Sequence, residues 1–556
     1  MIQNILSAAV RAALESAQAA GALPPLDEIP AIELERPARK EHGDWSCSIA
    51  LQLAKPVGRK PREIAETLIA HMKPPETVAK VEIAGPGFIN FFLTHAWLTG
   101  VVREIERAGA HWGSSDPGEE PERVQVEFVS ANPTGPLHLG HGRWAAIGDS
   151  LANVLAAAGD TVEREFYVND AGRQIDLYAR SVYARYLQHF DRDADLPEDG
   201  YRGYYVKTLA AEIAEEVGDG YLDAPADEAI AYFRATAVQR TMAHQRAVLE
   251  RAGVRFDVWF SERSLHDSGA VARVIEVLRE LGHVYEKDGA TWLRTTDFGD
   301  DKDRVLIKSD DELTYMAPDI AYFMDKVRRG FTRLIYLWGA DHHGYVARMQ
   351  AAIRALGEDP DHAEFILGQL VTLKRDGVPV QMSKRTGEFV TFDELLDEVG
   401  ADAARYLLVR QGADTALDFD LAQAVARSQD NPVYYVQYAH ARIASIGRHA
   451  EEQGIALAPV DEVALEELQH ESEVALLSKI AELPEIVQVA AHLRAPHRIA
   501  RYTEELAADF HAFYRDCRVV SEDASLTQAR LHLSRAAQIT LANALRLLGV
   551  TAPDKM

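Results

Sequence analysis

The chain has 556 residues, 47% hydrophobic and 26% charged, which excludes a disordered protein and exceeds what one domain of about 100 to 200 residues holds. Only Cys47 and Cys517 occur, which excludes a disulfide framework and a thiolate zinc cage and fits a reducing, cytoplasmic setting. With 59 Lys+Arg against 86 Asp+Glu the formal charge is -27, which counts against a nucleic-acid partner unless local basic patches override the total.

Near the N-terminus Ile2, Ile5, Leu6, Val10 and Leu14 are spaced as one apolar helix face, interrupted by Arg11 and Glu15 and without the pattern of a targeting peptide. No run reaches the roughly 18 apolar residues of a membrane span, so no membrane partner is expected. Lys55, Arg59, Lys60 and Arg62 form an acid-free cluster that, judged alone, is as well read as solvated surface charge. A linker is predicted at Gly113-Ser114-Ser115-Asp116-Pro117-Gly118.

Val124 to Ser130 has the pattern of a strand and runs into the turn Asn132-Pro133-Thr134-Gly135-Pro136. A helix follows, with Trp144, Ile147, Leu151, Val154 and Leu155 on one stripe, a stop at Gly159-Asp160, and a second strand from Thr161 to Val168. This βαβ unit predicts a parallel sheet with a right-handed crossover. The loop after its first strand then lies at the carboxyl edge, where doubly wound sheets bind ligands. From Asp191 to about Gly253 the chain is acidic and helical, and the pairs Asp288-Gly289 and Asp310-Asp311 predict hairpins; together these read as an insertion. Leu334 to Trp338 is again a buried-strand pattern, entering the polar loop Gly339-Ala340-Asp341-His342-His343, and Leu370 to Leu373 is strand-like. Beyond about residue 395 nearly everything is compatible with helix, including a second basic cluster of His492, Arg494, His497, Arg498 and Arg501.

In His138-Leu139-Gly140-His141 both imidazoles fall in the first turn of the predicted helix, where unpaired backbone N–H groups and the macrodipole favour an anion such as a triphosphate. Gly140 would let an adenine ring or ribose approach the backbone. Taken alone, histidines at this spacing are more often helix caps without a ligand. A zinc site drawing on Asp341, His342 or His343 lacks the supporting H-E-x-x-H pattern, and no metal site is expected. Far downstream, Met382-Ser383-Lys384-Arg385-Thr386-Gly387 occupies a polar loop, from which Lys384 can neutralise a leaving pyrophosphate once ATP is bound. Each motif alone is unspecific; on one sheet the two specify a nucleotide site.

The two motifs resemble the HIGH and KMSKS signatures of class I aminoacyl-tRNA synthetases. The run Ser130-Ala131-Asn132-Pro133-Thr134-Gly135-Pro136-Leu137-His138-Leu139-Gly140-His141-Gly142-Arg143 is similar to the version found in the arginyl-tRNA synthetase family. So are Tyr167-Val168-Asn169-Asp170-Ala171-Gly172-Arg173-Gln174, Asp319-Ile320-Ala321-Tyr322, Gly339-Ala340-Asp341-His342-His343-Gly344-Tyr345 and the ending Ala552-Pro553-Asp554-Lys555-Met556. Two departures stand out: Gln381 replaces the first lysine of the family's loop motif, and Met316-Ala317-Pro318 replaces a threonine-containing run.

The resemblance implies an α/β chain with three parts: a small α+β N-terminal domain (1–115), a Rossmann-like parallel-sheet catalytic domain with an insertion (116–425), and an all-α anticodon-binding domain of DALR type (426–556). The last is introduced by Asp402-Ala403-Ala404-Arg405 and continues through Tyr434-Tyr435-Val436-Gln437-Tyr438-Ala439-His440. It implies that ATP, used as a substrate with Mg²⁺ and without a structural metal, activates L-arginine to an arginyl-adenylate that is passed to tRNA(Arg), with tRNA required for efficient activation. By the same resemblance His138, Gly140, His141, Met382, Ser383 and Lys384 bind ATP, and His138, His141 and Lys384 are catalytic. Glu127 and Asn132 would hold the α-amino and carboxylate ends of arginine, Asp319 the guanidinium with Tyr315 beside it, and His343 would border the pocket. Residue type alone leaves Asp319 open as a helix cap and Tyr315 as core. Glu35-Arg36-Pro37 and Gly43-Asp44 resemble the part that contacts the tRNA elbow, and Arg498 and Arg501 are candidates for anticodon contacts. A cytoplasmic monomer is expected. The cysteinyl enzyme, the nearest alternative, relies on thiolate zinc recognition that two cysteines cannot supply.

Overall fold

In the computed structural model, which describes residues 2–26, 28–37, 39–118, 121–380 and 389–556, the strand Arg123–Glu127 (β1) is buried from Val124 onward on both faces, as a central strand of a parallel sheet must be. The helix Leu139–Ala158 (α1) and the strand Thr161–Val168 (β2) complete the expected βαβ unit. Gly148 lets α1 lie directly on the sheet, since a Cβ there would stand 2.2 Å from the Phe128 ring. The helix stops at Gly159, which has φ 113.

Val258–Ser261 (β3) pairs beside β2. After the helix Met316–Arg328 (α2), the strand Arg333–Gly339 (β4) returns to the other side of β1, the helix His343–Ala355 (α3) crosses over, and Ala363–Gly368 (β5) forms the edge. The sheet order is β5-β4-β1-β2-β3, every pair parallel. The order reverses between β1 and β4, so the crevice at their carboxyl ends is the place where such sheets take ligands.

β1 ends at Glu127, three residues before the strand expected from the apolar pattern. Val129 and Ser130 have φ 67 and 38, and the Ser130 N–H donates to the Phe128 carbonyl at 2.9 Å, a three-residue turn that swings the chain out of the sheet. A β-branched residue in this region is strained by about 1–3 kcal/mol. The turn is held because Ser130 Oγ donates to Glu127 Oε1 at 3.2 Å while accepting from the Tyr167 N–H at 3.1 Å.

The insertion contains the helices Tyr204–Val217 and Ala226–Arg251 and an antiparallel sheet of Val284–Lys287, Ala290–Leu293 and Arg304–Ile307. Asp288 and Gly289, with φ 54 and 77, make the first hairpin turn. Met316-Ala317-Pro318 forms a regular first turn of α2, where a proline costs no hydrogen bond. One strand lies in the part expected to be helical: Leu417–Asp420 pairs in parallel with Val371–Arg375, burying Leu417 and Phe419.

Contacts divide the chain into two units, Met1–Trp112 with Ile443–Pro484 and Ala508–Thr540, and Gly113–Arg442 with Glu485–Ala507 and Leu541–Met556. The first holds a four-stranded antiparallel sheet around Leu6, Val10, Trp45, Leu53 and Phe91. In the second, the chain's end is stitched down by Asp402 and Arg405. Buried Arg405 donates to Asp149 Oδ2 at 2.5 Å and to the Leu548 and Ala252 carbonyls at 3.0 and 3.1 Å, while Asp402 accepts from the Thr551 N–H at 3.0 Å. Among the described residues no helix is long and apolar enough to cross a membrane.

Candidate active site

A cavity of about 1210 Å³ opens at the carboxyl ends of β1 and β4. Clefts for one small ligand typically hold roughly 300–1,000 Å³, so this one has room for two substrates side by side. Glu127, Asn132, His138, Gly140, His141, Tyr315 and Asp319, far apart in the sequence, all line it. His343 does not: it is exposed at the start of α3, and its neighbour His342 faces the cavity instead. Met382, Ser383 and Lys384 lie outside the described residues, but Val380 and Phe389, on either side of that segment, are both in the cavity wall.

At the start of α1 the two histidines cap the helix and cap each other. The His141 N–H donates to His138 Nδ1 at 3.3 Å and the His138 N–H to His141 Nδ1 at 3.2 Å, with the rings stacked 3.6 Å apart. The two rings are therefore helix caps, and both also line the cavity. Each Nδ1 is an acceptor, so each proton sits on Nε2, leaving an N–H on both rings for a ligand. Burial lowers both pKa values, that of His141 to about 3, so the donors are neutral imidazoles at physiological pH. Gly140 makes room for a neighbour: a Cβ there would stand 2.9 Å from His138 Cε1. Arg143, buried, fixes the adjoining wall by donating to the carbonyls of Gln369, Gly412 and Thr415 at 2.9, 2.8 and 2.7 Å.

The opposite half of the cavity is acidic. Asp319 lies one turn into α2 from Tyr315, its N–H donating to the Tyr315 carbonyl at 3.3 Å, and its carboxylate accepts from the Tyr345 hydroxyl. Burial pushes its pKa up to about 7, with Glu262 and Glu127 adding to the rise. Among the described residues it has no ion-pair partner, so a cation is the group this carboxyl lacks. Glu127, by contrast, is paired with buried Lys326, whose Nζ lies 2.6 Å from Oε2.

Sequence reasoning passed over Lys326 and Glu262, and it named Tyr345 only as the end of a motif, without a role of its own. Lys326 follows Asp319 by seven positions, two turns along the same face of α2, and that spacing was the available signal. Glu262, at the end of β3, is buried and also has its pKa raised, by burial first; nothing in its local sequence marks it.

Three family models cover the chain: the arginyl tRNA synthetase N-terminal domain over residues 3–93, the catalytic domain of class I (R) tRNA synthetases over 113–445, and the DALR anticodon binding domain over 436–556. The chain is 50% identical to the arginine–tRNA ligase of Geobacillus kaustophilus over 559 residues, covering 100% of this chain and 98% of that protein. It is 50% identical to that of Bacillus subtilis over 531 residues, 95% of each. The solved structure of Thermus thermophilus arginyl-tRNA synthetase has the same fold, with a TM-score of 0.78 at 24% identity over 100% of both chains. With all three models matched in order and half of the residues shared over full length, the chain belongs to the arginyl-tRNA synthetase family of class I aminoacyl-tRNA synthetases.

Proposed function

We propose that the chain joins L-arginine to tRNA(Arg) using ATP, through an arginyl-adenylate, releasing AMP and pyrophosphate. The observation that carries this reading is Asp319, an unneutralised carboxyl in the same cavity as two neutral imidazole donors at a helix N-terminus. A guanidinium fits a planar carboxylate through two parallel hydrogen bonds, and its charge supplies what burial withholds. Glu127 and Asn132 hold the α-amino and carboxylate ends, and Tyr315 flanks the side chain. The arginine carboxylate is then directed at the α-phosphorus of ATP, whose phosphates lie over the start of α1.

Attack forms the bond from a carboxylate oxygen to the α-phosphorus as the bond to pyrophosphate breaks. His138 and His141 donate through Nε2–H to oxygens that gain charge in this step, Gly140 keeps the His138 ring in place, and Lys384, with Met382 and Ser383, meets the leaving pyrophosphate. Mg²⁺ bound with ATP as part of the substrate would offset the charge of its phosphates. The arginyl group next passes to the terminal ribose of tRNA, and tRNA is required before activation is efficient. We retain the division into 1–115, 116–425 and 426–556 and a cytoplasmic monomer. The two buried free thiols fit a reducing, cytoplasmic setting.

For tRNA, Tyr434, Tyr438 and Arg442 offer a stacking face. The two rings lie 6.0 Å apart and nearly parallel, and the Arg442 guanidinium sits 4.8 Å above Tyr438. In the N-terminal cluster Arg59 and Arg62 are shared with Glu63 and Glu66, leaving Lys55 and Lys60 as the stronger phosphate candidates.

ATP–pyrophosphate exchange with each amino acid, with and without tRNA, tests the reading. Exchange with arginine that depends on tRNA is expected. Equal exchange with another amino acid, or none with arginine, would overturn it.

A further inference from the structure

Arginine has two cationic ends and one carboxylate, and the inner wall of the cavity offers two carboxylates, Glu127 and Asp319, while the third acid of the lining, Asp341, is 82% exposed to water. If both were equally anionic, the amino acid would bind in either direction, and only one direction points its carboxylate at the nucleotide. The two acids are not equal. Glu127 Oε2 is closed by Lys326 Nζ at 2.6 Å, and Lys326 is held there by more than the ion pair: its ammonium lies 4.0 Å from the ring centroids of both Tyr322 and Tyr336. Tyr336 is the residue of β4 in register with Glu127 of β1, so sheet pairing itself brings the ring to the pair. The Tyr322 hydroxyl is tied to buried Glu165, which is neutralised in turn by Arg329 at 2.6 Å. Asp319 receives no such partner among the described residues, and burial raises the pKa of Glu262, whose charge acts on Asp319.

Resting on the reading of this cavity as an arginine site, we propose that Lys326 is a positioning residue that sets the polarity of the pocket. By sharing the Glu127 carboxylate it makes that end net neutral, fit for an ammonium that brings its own carboxylate alongside. Asp319 remains as the inner carboxyl with no ion-pair partner among the described residues, fit for the guanidinium. With Asp319 ionised by the arriving guanidinium, these two inner carboxylates and Lys326 together carry one net negative charge against the single net positive charge of arginine, an arrangement that disfavours a dication. Burial lowers the pKa of Lys326 while Glu127 and Glu165 oppose that shift, so the cation depends on the pair it completes.

The test uses agmatine, the dication formed when arginine loses its carboxylate, as an inhibitor of arginine-dependent exchange in the full-length protein. In Lys326→Met the arginine KM should rise and the agmatine inhibition constant should fall, shifting their ratio at least about tenfold, the scale of one poorly screened charge a few ångström away. Lys326→Gln keeps a hydrogen bond to Glu127 but removes the charge. It should shift the ratio in the same direction, and it serves if the methionine variant does not fold. A ratio unchanged in folded Lys326→Gln would overturn the proposal and leave Lys326 as a purely structural cation. Absence of arginine activation by the unsubstituted protein would instead sink the functional reading, and the inference with it, before any variant is made.

Discussion

Glu127–Lys326 and Asp149–Arg405 are both buried carboxylate–cation pairs, closed at 2.6 and 2.5 Å. Their surroundings separate them. Arg405 has its remaining donors met by the Leu548 and Ala252 carbonyls, and Gly549 is required beside it, since a Cβ there would stand 2.1 Å from the guanidinium. Asp149 also receives Arg164 at 3.1 Å. Arg405 and Asp149 are both buried, and the outcome is a chain end fixed to the helix whose first turn carries the two histidines. Glu127 lines the cavity and keeps acceptor capacity on its Oε1 side, while its partner is wedged between two rings. A buried ion pair points to binding where one partner's unmet capacity faces a cavity, and to the fold where all of it is absorbed by the chain.

Replacing Arg405 by Met should therefore produce the largest effect on stability, about 3–5 kcal/mol, because it leaves Asp149 with Arg164 alone and removes the donors from the Leu548 and Ala252 carbonyls. Denaturant unfolding would report this, and the arginine KM of the folded protein should stay near that of the original. A raised KM with stability intact would break the comparison.

Lys384→Ala tests the nucleotide half, away from both pairs. Its kcat should fall by roughly 10²–10³ with little change in arginine KM, the pattern of a contact that strengthens in the transition state. Steady-state exchange kinetics measure both constants, and unaltered turnover would remove this lysine from the mechanism.

The pH dependence sharpens the comparison further. Asp319 has a pKa of about 7 in the empty protein, and a bound guanidinium favours its ionised form. Arginine affinity should thus be constant above pH 7 and fall about tenfold per pH unit below it, because a proton must then leave before the cation can pair. The same raised pKa works against the empty fold: the stability contributed by protonated Asp319 is full below 3.8 and lost as the pH rises through about 7. Titration of arginine binding by calorimetry in buffers of different ionisation enthalpy would detect the proton released.

The parts of this arrangement that were legible in the sequence are those set by local pattern. The strand at Thr161–Val168 and the helix from Leu139 to Ala158 follow from apolar period and end signals, and the Asp288-Gly289 turn from residue type. Asp319, Tyr315 and Glu127 were reached through resemblance, not periodicity. What stayed hidden depends on tertiary context. Val129 favours extended backbone by its β-branch, and the left-handed turn there is imposed by Ser130 bridging Glu127 and β2. The short strand Leu417–Asp420 alternates buried and exposed residues, but four residues between helices give too little pattern to outweigh their surroundings. Lys326 gains its place only when β4 pairs with β1 and sets Tyr336 beside Glu127. His343 fell outside the cavity while His342 entered it because a short helical turn at Ala340–His342 precedes α3 and decides which ring points inward.

Arginine and citrulline have nearly the same shape and differ in the charge of the terminal group, so their discrimination isolates the contact between Asp319 and the guanidinium. Exchange rates with each amino acid, compared between the unsubstituted protein and Asp319→Asn, test it without changing the volume of the pocket. The unsubstituted protein should prefer arginine by at least about a hundredfold, and the asparagine variant should lose most of that preference. If the variant still discriminates by the original factor, another group recognises the guanidinium and the assignment of Asp319 is wrong.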